Sequence, residues 1–146
     1  MKKSYQFIKG FSLTELLIAV AIIALLSIIA IPSYQHYMKR TYYNEVVQAA
    51  DRYKLAVALC LEEAKGVMDD CDGGINGVPA DVTAGSGVSQ VDSITVLDGV
   101  ITVTPKAANS IPASATYVLT PTYNSATGVS WALSGGVCGK GLISKC

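Results

Sequence analysis

The sequence predicts an α+β protein in which a long N-terminal helix packs on an antiparallel sheet of three or four strands. Two patterns support this fold class. An apolar run in the first half of the 146-residue chain continues as an amphipathic helical pattern, and the second half contains short β-rich runs separated by turn residues. Four cysteines add a third observation, because an even number favours disulfides in a domain outside the cytoplasm.

The apolar half of the predicted helix follows Glu15. Residues 16–31 read LLIAVAIIALLSIIAI, and the next charged side chain is Lys39. The uncharged stretch is long enough to provide the ~20 predominantly apolar residues that a transmembrane helix needs. Three lysines precede it within the first ten residues, so the positive-inside rule places the N-terminus in the cytoplasm.

Glu15 is the candidate functional residue of this segment. A carboxylate at membrane depth is costly and therefore indicates a functional site whose partner has to be identified. The simpler interpretation is a plain membrane anchor, in which the Glu15 carboxylate extends to the membrane–water interface. A cleaved secretory signal would need a small-residue cleavage site, and the run instead continues into Ile31-Pro32-Ser33-Tyr34.

Beyond Pro32 the helix is predicted to continue with one apolar face. Apolar residues recur at spacings of three or four, while charged residues occupy the opposite face. Lys65-Gly66 is a plausible helix end, since a basic residue followed by glycine is typical of a C-terminus. The apolar face consists of Val46, Ala50, Tyr53, Val57, Cys60 and Ala64.

The β-rich half follows a long loop, predicted over residues 66–92. Asp98-Gly99 joins two strands, 94–97 and 100–104, because this dipeptide favours a two-residue hairpin turn. Further strands are predicted over 116–120 and 129–133, and Pro121 indicates that the third strand ends there or lies at an edge. The aromatic residues expected in the core are Tyr53, Tyr117 and Trp131.

The cysteines allow three disulfide pairings, of which one is favoured. Cys60 lies near the helix end, so Cys71 can return to it from the following loop, and Cys138 with Cys146 would close the C-terminal tail. Zinc is the competing use. These cysteines lack the short spacing of zinc hooks, and the single histidine, His36, is far away in the sequence.

No enzymatic constellation, metal site or cofactor motif is predicted. The single histidine argues against a nucleophilic triad. Asp69, Asp70 and Asp72 lack the glutamate of an EF-hand, so a solvated turn is the preferred interpretation of this acidic run. The formal charge is zero, which argues against bulk nucleic-acid binding, although Lys140 and Lys145 form a small basic cluster.

The junction Lys9-Gly10-Phe11-Ser12-Leu13-Thr14-Glu15 resembles the processing signal of type IV pilins, subtype a, which are N-methylphenylalanine prepilins. The ten-residue basic leader, the glycine before phenylalanine and the glutamate five residues into the mature chain carry the resemblance. Pro32 and Tyr34 also match the family pattern, whereas Ala24 replaces a glycine that is frequent in the family.

The resemblance implies that prepilin peptidase cuts between Gly10 and Phe11, and that the new Phe11 amine is methylated. Glu15 would then bind that amine on a neighbouring subunit. The expected organisation is a leader over 1–10, a transmembrane and assembly helix over 11–38 and a globular pilin domain over 39–146. The subunit would span the inner membrane once, with a cytoplasmic N-terminus, before it enters an extracellular fibre.

The function implied by the resemblance is that of a major-type structural subunit, not an enzyme. The chain itself, prepilin peptidase, an inner-membrane platform, motor ATPases and a secretin are the implied partners. Adhesion, twitching motility and DNA uptake are family roles. The alternatives are a minor pilin, a type II secretion pseudopilin and, from a different class, a tip pilin that binds DNA.

Overall fold

The computed structural model describes residues 10–143 and residue 146. It contains one helix, α1 (Leu13–Glu63), followed by four strands. These strands are β1 (Val91–Leu97), β2 (Val100–Pro105), β3 (Tyr117–Asn124) and β4 (Gly128–Ser134). The chain divides into two compact units, with the division between His36 and Tyr37. The first nine residues and Lys145 lie outside the described residues.

The N-terminal unit contains the apolar part of α1. Its large apolar side chains are exposed over half or more of their surface, from 79% for Phe11 to 50% for Val20. Among the described residues, α1 is one helix that is long and apolar enough to cross a membrane. The helix is continuous through Ala24 and Pro32, although proline has no N–H to donate to the preceding turn.

The C-terminal unit contains the amphipathic part of α1, which ends near the predicted position. The Gly66 N–H donates to the Leu61 carbonyl at 2.8 Å, and Gly66 has φ 89°. This left-handed conformation is typical of the glycine that closes a helix. A Cβ at position 66 would also collide with the Tyr123 ring, so the helix end packs directly on β3.

The sheet is antiparallel, and its strand order follows the chain: β1-β2-β3-β4. Alternate residues point toward α1 and form the core, as the two-residue period of a strand requires. The predicted core aromatics Tyr53 and Tyr117 are buried, whereas Trp131 is half-buried beside the Lys54 ammonium, 5.8 Å from the ring centroid. Other buried members are Val46, Ala50, Val57, Ile94, Val96, Ile101, Val103 and Leu119.

The prediction that β3 ends at Pro121, or lies at an edge, is wrong: β3 is an inner strand and continues to Asn124. β2 pairs with β3 only up to Ile101↔Leu119, whereas β4 pairs along Pro121 to Asn124. Pro121 therefore lies beyond the part of β3 that β2 covers. Proline is tolerated there because one side of the strand needs no ladder hydrogen bond.

β1 also differs from the prediction, since it begins at Val91 and not at Ile94. An irregularity in the pairing between Val91 and Ser93 shifts the register at its start. Such a bulge inserts a residue and breaks the alternation of apolar and polar positions. The alternation that identifies a strand in the sequence therefore starts only at Ile94.

The loop between α1 and β1 is held by side chains that satisfy backbone groups of the sheet. The Asp81 carboxylate accepts the Val96 N–H at 2.9 Å, and the Asp72 carboxylate accepts the Asp98 N–H at 2.6 Å. The acidic run thus helps to fix the β1–β2 turn. In the part of the chain that the structure describes, no group of three or more His, Cys, Asp or Glu residues is arranged to hold a metal ion.

Candidate processing and assembly site

The start of α1 forms a reciprocal hydrogen-bonded cap around Glu15. The Glu15 N–H donates to the Ser12 hydroxyl at 3.2 Å, and the Ser12 N–H donates to Oε2 of Glu15 at 2.8 Å. The Thr14 hydroxyl lies 2.8 Å from the Ser12 hydroxyl. This is the capping-box arrangement, which satisfies two N–H groups that have no partner within the helix.

The cap defines the environment of the Glu15 carboxylate. A negative charge in the first turn of a helix is stabilised by the helix dipole. Oε2 accepts the Ser12 N–H, whereas no intramolecular donor to Oε1 is found among the described residues. Glu15 can therefore keep its local bond and still accept a second donor from outside the chain.

Ser12 is the residue of this site that the sequence analysis missed. Its signal was present, because Ser12 and Glu15 are three residues apart and precede an apolar run. The cost of a carboxylate in an apolar helix predicts a cationic partner from outside the helix. The same spacing also predicts a local partner, which reduces the cost of Glu15 before any neighbour binds.

Gly10 and Phe11 precede the first helical residue and are both exposed. Apart from its chain neighbours, no described residue has a heavy atom within 4 Å of the position that a Cβ on Gly10 would occupy. In this uncut chain the nitrogen of Phe11 is a peptide amide and carries no charge. The proposed cationic partner of Glu15 would exist only after the bond between Gly10 and Phe11 is cut.

The structure joins Cys60 to Cys71 and Cys138 to Cys146, which is the pairing favoured from the sequence. The first disulfide ties the end of α1 to the loop, with a Cα–Cα distance of 5.8 Å, and both of its cysteines are buried. The second closes the C-terminal tail with a Cα–Cα distance of 5.7 Å. Short disulfide loops stabilise a fold by constraining the unfolded chain.

The closed tail also contacts α1 within the C-terminal unit. Nε of Arg40 donates to the Gly141 carbonyl at 3.0 Å. Leu142 is only 7% exposed, so the tail contributes an apolar side chain to the core. The tail is thus held by a covalent bond, a hydrogen bond and one buried leucine.

Two tyrosines of α1 bind loop carbonyls. The Tyr43 hydroxyl donates to the Ala115 carbonyl at 2.7 Å, and the Tyr53 hydroxyl donates to the Ala80 carbonyl at 2.8 Å. Burial raises the pKa of both hydroxyls, with a smaller contribution from Tyr117 at Tyr43 and from Asp81 at Tyr53. Both hydroxyls remain neutral donors at neutral pH, so these bonds persist there.

Residues 7–31 match a family described as the prokaryotic N-terminal methylation motif. Prepilin peptidase-dependent protein D of Escherichia coli K12 is 37% identical over 122 residues, which are 83% of this chain and 77% of that protein. This chain belongs to the type IV pilins.

A second relative and a solved structure also match over most of the chain. Fimbrial protein EcpC of Eikenella corrodens is 36% identical over 97% of this chain and 92% of that protein. The solution structure of the major type IV pilin PpdD from enterohemorrhagic Escherichia coli matches with a TM-score of 0.51 and 30% identity. That match covers 67% of this chain and 69% of PpdD, so the fold is that of a type IV pilin and the chain is a pilus subunit.

Proposed function

We propose that the chain is a major structural subunit of a type IV pilus that is cut between Gly10 and Phe11 and methylated at the new amine. In the fibre, Glu15 of one copy binds the Phe11 amine of a neighbour. The observation that carries this proposal is the second oxygen of Glu15, which has no donor among the described residues. Between Leu16 and Met38 the chain offers no lysine or arginine that could take this place.

The exposed apolar surface of the helix supports the proposal that the subunit lies first in a membrane and then in a fibre. Large apolar surfaces are stable in lipid or against other apolar surfaces, but not in water. We infer that the N-terminal unit spans the inner membrane once, with a cytoplasmic N-terminus, before assembly. The same surface then packs against N-terminal helices of other copies in an extracellular fibre.

The further partners proposed for this pilin are prepilin peptidase, the inner-membrane platform, the motor ATPases and the secretin. Adhesion and twitching motility are the proposed activities of the fibre, with DNA uptake as a further role. Whether purified surface fibres consist mainly of this chain distinguishes a major pilin from a minor pilin or a pseudopilin. DNA capture has less support, because Lys140 and Lys145 in the last loop are the only basic cluster that supports it and the formal charge of the chain is zero.

The processing step is tested by intact-mass and N-terminal peptide analysis of surface fibres. We expect every subunit to begin at Phe11 and to carry one methyl group on its α-amine. Gly10→Val should keep residues 1–10 attached and prevent fibre formation, whereas Gln6→Ala is the matched substitution that leaves the junction intact. Fibres whose subunits retain the first ten residues would exclude the proposal.

A further inference from the structure

The closed C-terminal tail brings its lysine to the first basic residues of α1. Nε of Arg40 donates to the Gly141 carbonyl at 3.0 Å, although 101 positions separate the two residues in the chain. Lys140 precedes Gly141 and is exposed, and Lys39 precedes Arg40 on the helix. We call Lys39, Arg40 and Lys140 the tail–helix cations.

No acidic residue accompanies the tail–helix cations in the sequence. The helix carries none over residues 37–44, and the loop between Cys138 and Cys146 carries none either. The next acid along α1 is Glu45, which already accepts a hydrogen bond from the Ser89 hydroxyl. An anion from outside the chain is therefore the expected partner of these cations, because charge-assisted hydrogen bonds are the strong ones.

The opposite end of the C-terminal unit has the reverse charge. α1 ends at Glu63, and Asp69 and Asp70 follow soon after, with Lys65 between them and the helix. Arg40 and Glu63 lie about 35 Å apart along the helix axis, at 1.5 Å per residue. A negatively charged surface would therefore attract one end of this unit and repel the other.

The basic end follows the apolar stretch of α1 directly. Residues 16–38 carry no formal charge and extend about 35 Å along the helix axis. The hydrocarbon core of a bilayer is about 30 Å thick, so a helix that spans it brings Lys39 and Arg40 to the headgroups. Because Gly141 is hydrogen-bonded to Arg40, the tail lies beside this same turn of the helix.

Two tyrosines of α1 mark the same level. Tyr34 and Tyr37 are both exposed and lie three residues apart, so they are neighbours on the helix surface. Tyrosine is enriched where a membrane meets water, since its ring is apolar and its hydroxyl is polar. Their position just before Lys39 agrees with a membrane surface at the tail–helix cations.

A groove of about 340 Å³ opens between this part of α1, the tail and the sheet. Its lining combines Arg40 and Asn44 with the apolar side chains of Val47, Leu133 and Ile143. A phospholipid offers the matching combination, because its phosphate is attached to glycerol and to the first carbons of the acyl chains. A soluble anion would bind the cation but would leave the apolar lining without a partner.

We propose that the tail–helix cations bind anionic phospholipid headgroups, so that the closed tail lies on the membrane surface before assembly. The proposal rests on the proposed function, in which the N-terminal unit spans the inner membrane. Interfacial tyrosine, lysine and arginine residues set the tilt and rotation of a transmembrane helix. The contact would therefore fix the rotation of the unassembled subunit in the bilayer.

The contact is weak enough to be released when the subunit enters a fibre. Each lysine or arginine near an anionic surface strengthens binding about five-fold, so three cations contribute about a hundred-fold. This attraction decreases within a Debye length of the surface and is screened by salt. Removal of the subunit from the lipid therefore breaks no large apolar contact at the tail.

The test compares the full-length protein in two kinds of lipid nanodisc, one of phosphatidylcholine and one with an equal part of phosphatidylglycerol. An amine-reactive reagent labels the lysines, and peptide mass analysis gives the rate at each position. Lys140 should react about five-fold more slowly in the anionic nanodiscs, and added salt should remove the difference. Lys65 is exposed at the acidic end and should react equally in both.

Two substitutions test the hydrogen bond that holds the tail at the helix. Arg40→Ala removes the donor to Gly141 together with one cation, so the slower labelling of Lys140 should be lost. Arg52→Ala is the matched control, because Arg52 lies about 18 Å further along the helix axis and should leave the slower labelling intact. Equal slowing of Lys140 in Arg40→Ala and Arg52→Ala would contradict the assigned contact.

Lys140→Glu guards against misfolding, because residue 140 is exposed. Hydrogen exchange of the backbone amides over 139–143 is the measurement. In the wild type and in the control Lys65→Glu, exchange should be slower in the anionic than in the neutral nanodiscs. In Lys140→Glu the two rates should be equal, and a persisting difference would overturn the proposal.

The labelling also separates failure of this inference from failure of the proposed function. Equal labelling of Lys140 in both nanodiscs, with the protein inserted, would overturn the inference and leave the membrane span intact. A chain that enters neither nanodisc would instead contradict the proposed function. Slower labelling of Lys140 in neutral nanodiscs after addition of inorganic phosphate or duplex DNA would assign the cations to another anion and overturn the inference.

Discussion

The two parts of α1 belong to one continuous helix but differ in the exposure of their apolar side chains. In the N-terminal unit, large apolar side chains such as Ile29 remain 77% exposed, and the capped N-terminus is the main polar feature. In the C-terminal unit, Val46, Ala50 and Val57 are completely buried against the sheet. The first part depends on surroundings outside the chain, whereas the second is completed by the chain itself.

This difference predicts that assembly and folding depend on different residues. The C-terminal unit is fixed by its core, two disulfides and the tyrosine hydrogen bonds. The N-terminal unit contributes few contacts of its own, so substitutions there should change fibre formation more than folding. The following variants test that separation.

The largest effect is expected for Glu15→Gln, which preserves size and removes the charge. We expect loss of fibres, or a sharp reduction, because an amide cannot neutralise the Phe11 amine of a neighbouring copy. Thermal unfolding of the full-length protein in detergent should be unchanged. The matched control is Glu62→Gln on the exposed face of α1. Normal fibre numbers in Glu15→Gln would refute the pairing.

Removal of a disulfide should have the largest effect on folding. Cys60→Ala with Cys71→Ala, and Cys138→Ala with Cys146→Ala, should each lower the free energy of unfolding by about 2–4 kcal/mol. The first pair should cost more, because both cysteines are buried and their removal leaves a cavity. Urea titrations measure the change. Non-reducing peptide maps of the wild-type protein should contain the Cys60–Cys71 and Cys138–Cys146 pairs. A Cys60–Cys146 peptide would show this connectivity to be wrong.

Tyr43→Phe should lower the free energy of unfolding by about 1–3 kcal/mol, because the buried Ala115 carbonyl loses its donor. The variant also tests the pH dependence. Burial raises the pKa of Tyr43 in the folded protein, so its contribution is complete below the unfolded value of about 10 and declines at higher pH. Titration of stability from pH 8 to 11 should show a smaller alkaline loss in Tyr43→Phe than in wild type.

The smallest effect is expected for Ser12→Ala, which removes the hydroxyl that caps Glu15. The first turn of α1 should lose about 1 kcal/mol of local stability. Hydrogen exchange in detergent should increase at Leu13–Leu16 and remain unchanged in the C-terminal unit. Fibres should still form, because the Glu15 carboxylate is retained. Loss of fibres as complete as in Glu15→Gln would show that the cap itself is needed for assembly.

Much of the fold could be predicted because its signals are local. The apolar run, the spacing along α1 and the Asp98-Gly99 turn each depend on a few neighbouring residues. The effect of Pro121 could not be predicted, because it depends on how far β2 extends along β3, which is a property of register. The early start of β1 could not be predicted, because a bulge interrupts the alternation of apolar and polar residues there.

The candidate site shows the same limit. Glu15 could be predicted because a carboxylate in an apolar helix is costly. Its hydrogen bond with Ser12 is indicated only by the three-residue spacing of a capping box, which lies inside the longer pilin motif. The rows of residues across the outer face of the sheet could not be predicted before the strands were aligned. Thr95, Val118 and Ser134 are far apart in the chain and become one row only through the register.

The order of the strands also has a consequence for how the subunit folds. Each strand pairs with its neighbour in the chain, and the disulfides close loops of only 11 and 8 residues. Short closures cost less chain entropy than long ones, and local contacts favour rapid folding. We therefore expect the C-terminal unit to complete its sheet with its own strands sooner than it exchanges them with a second copy.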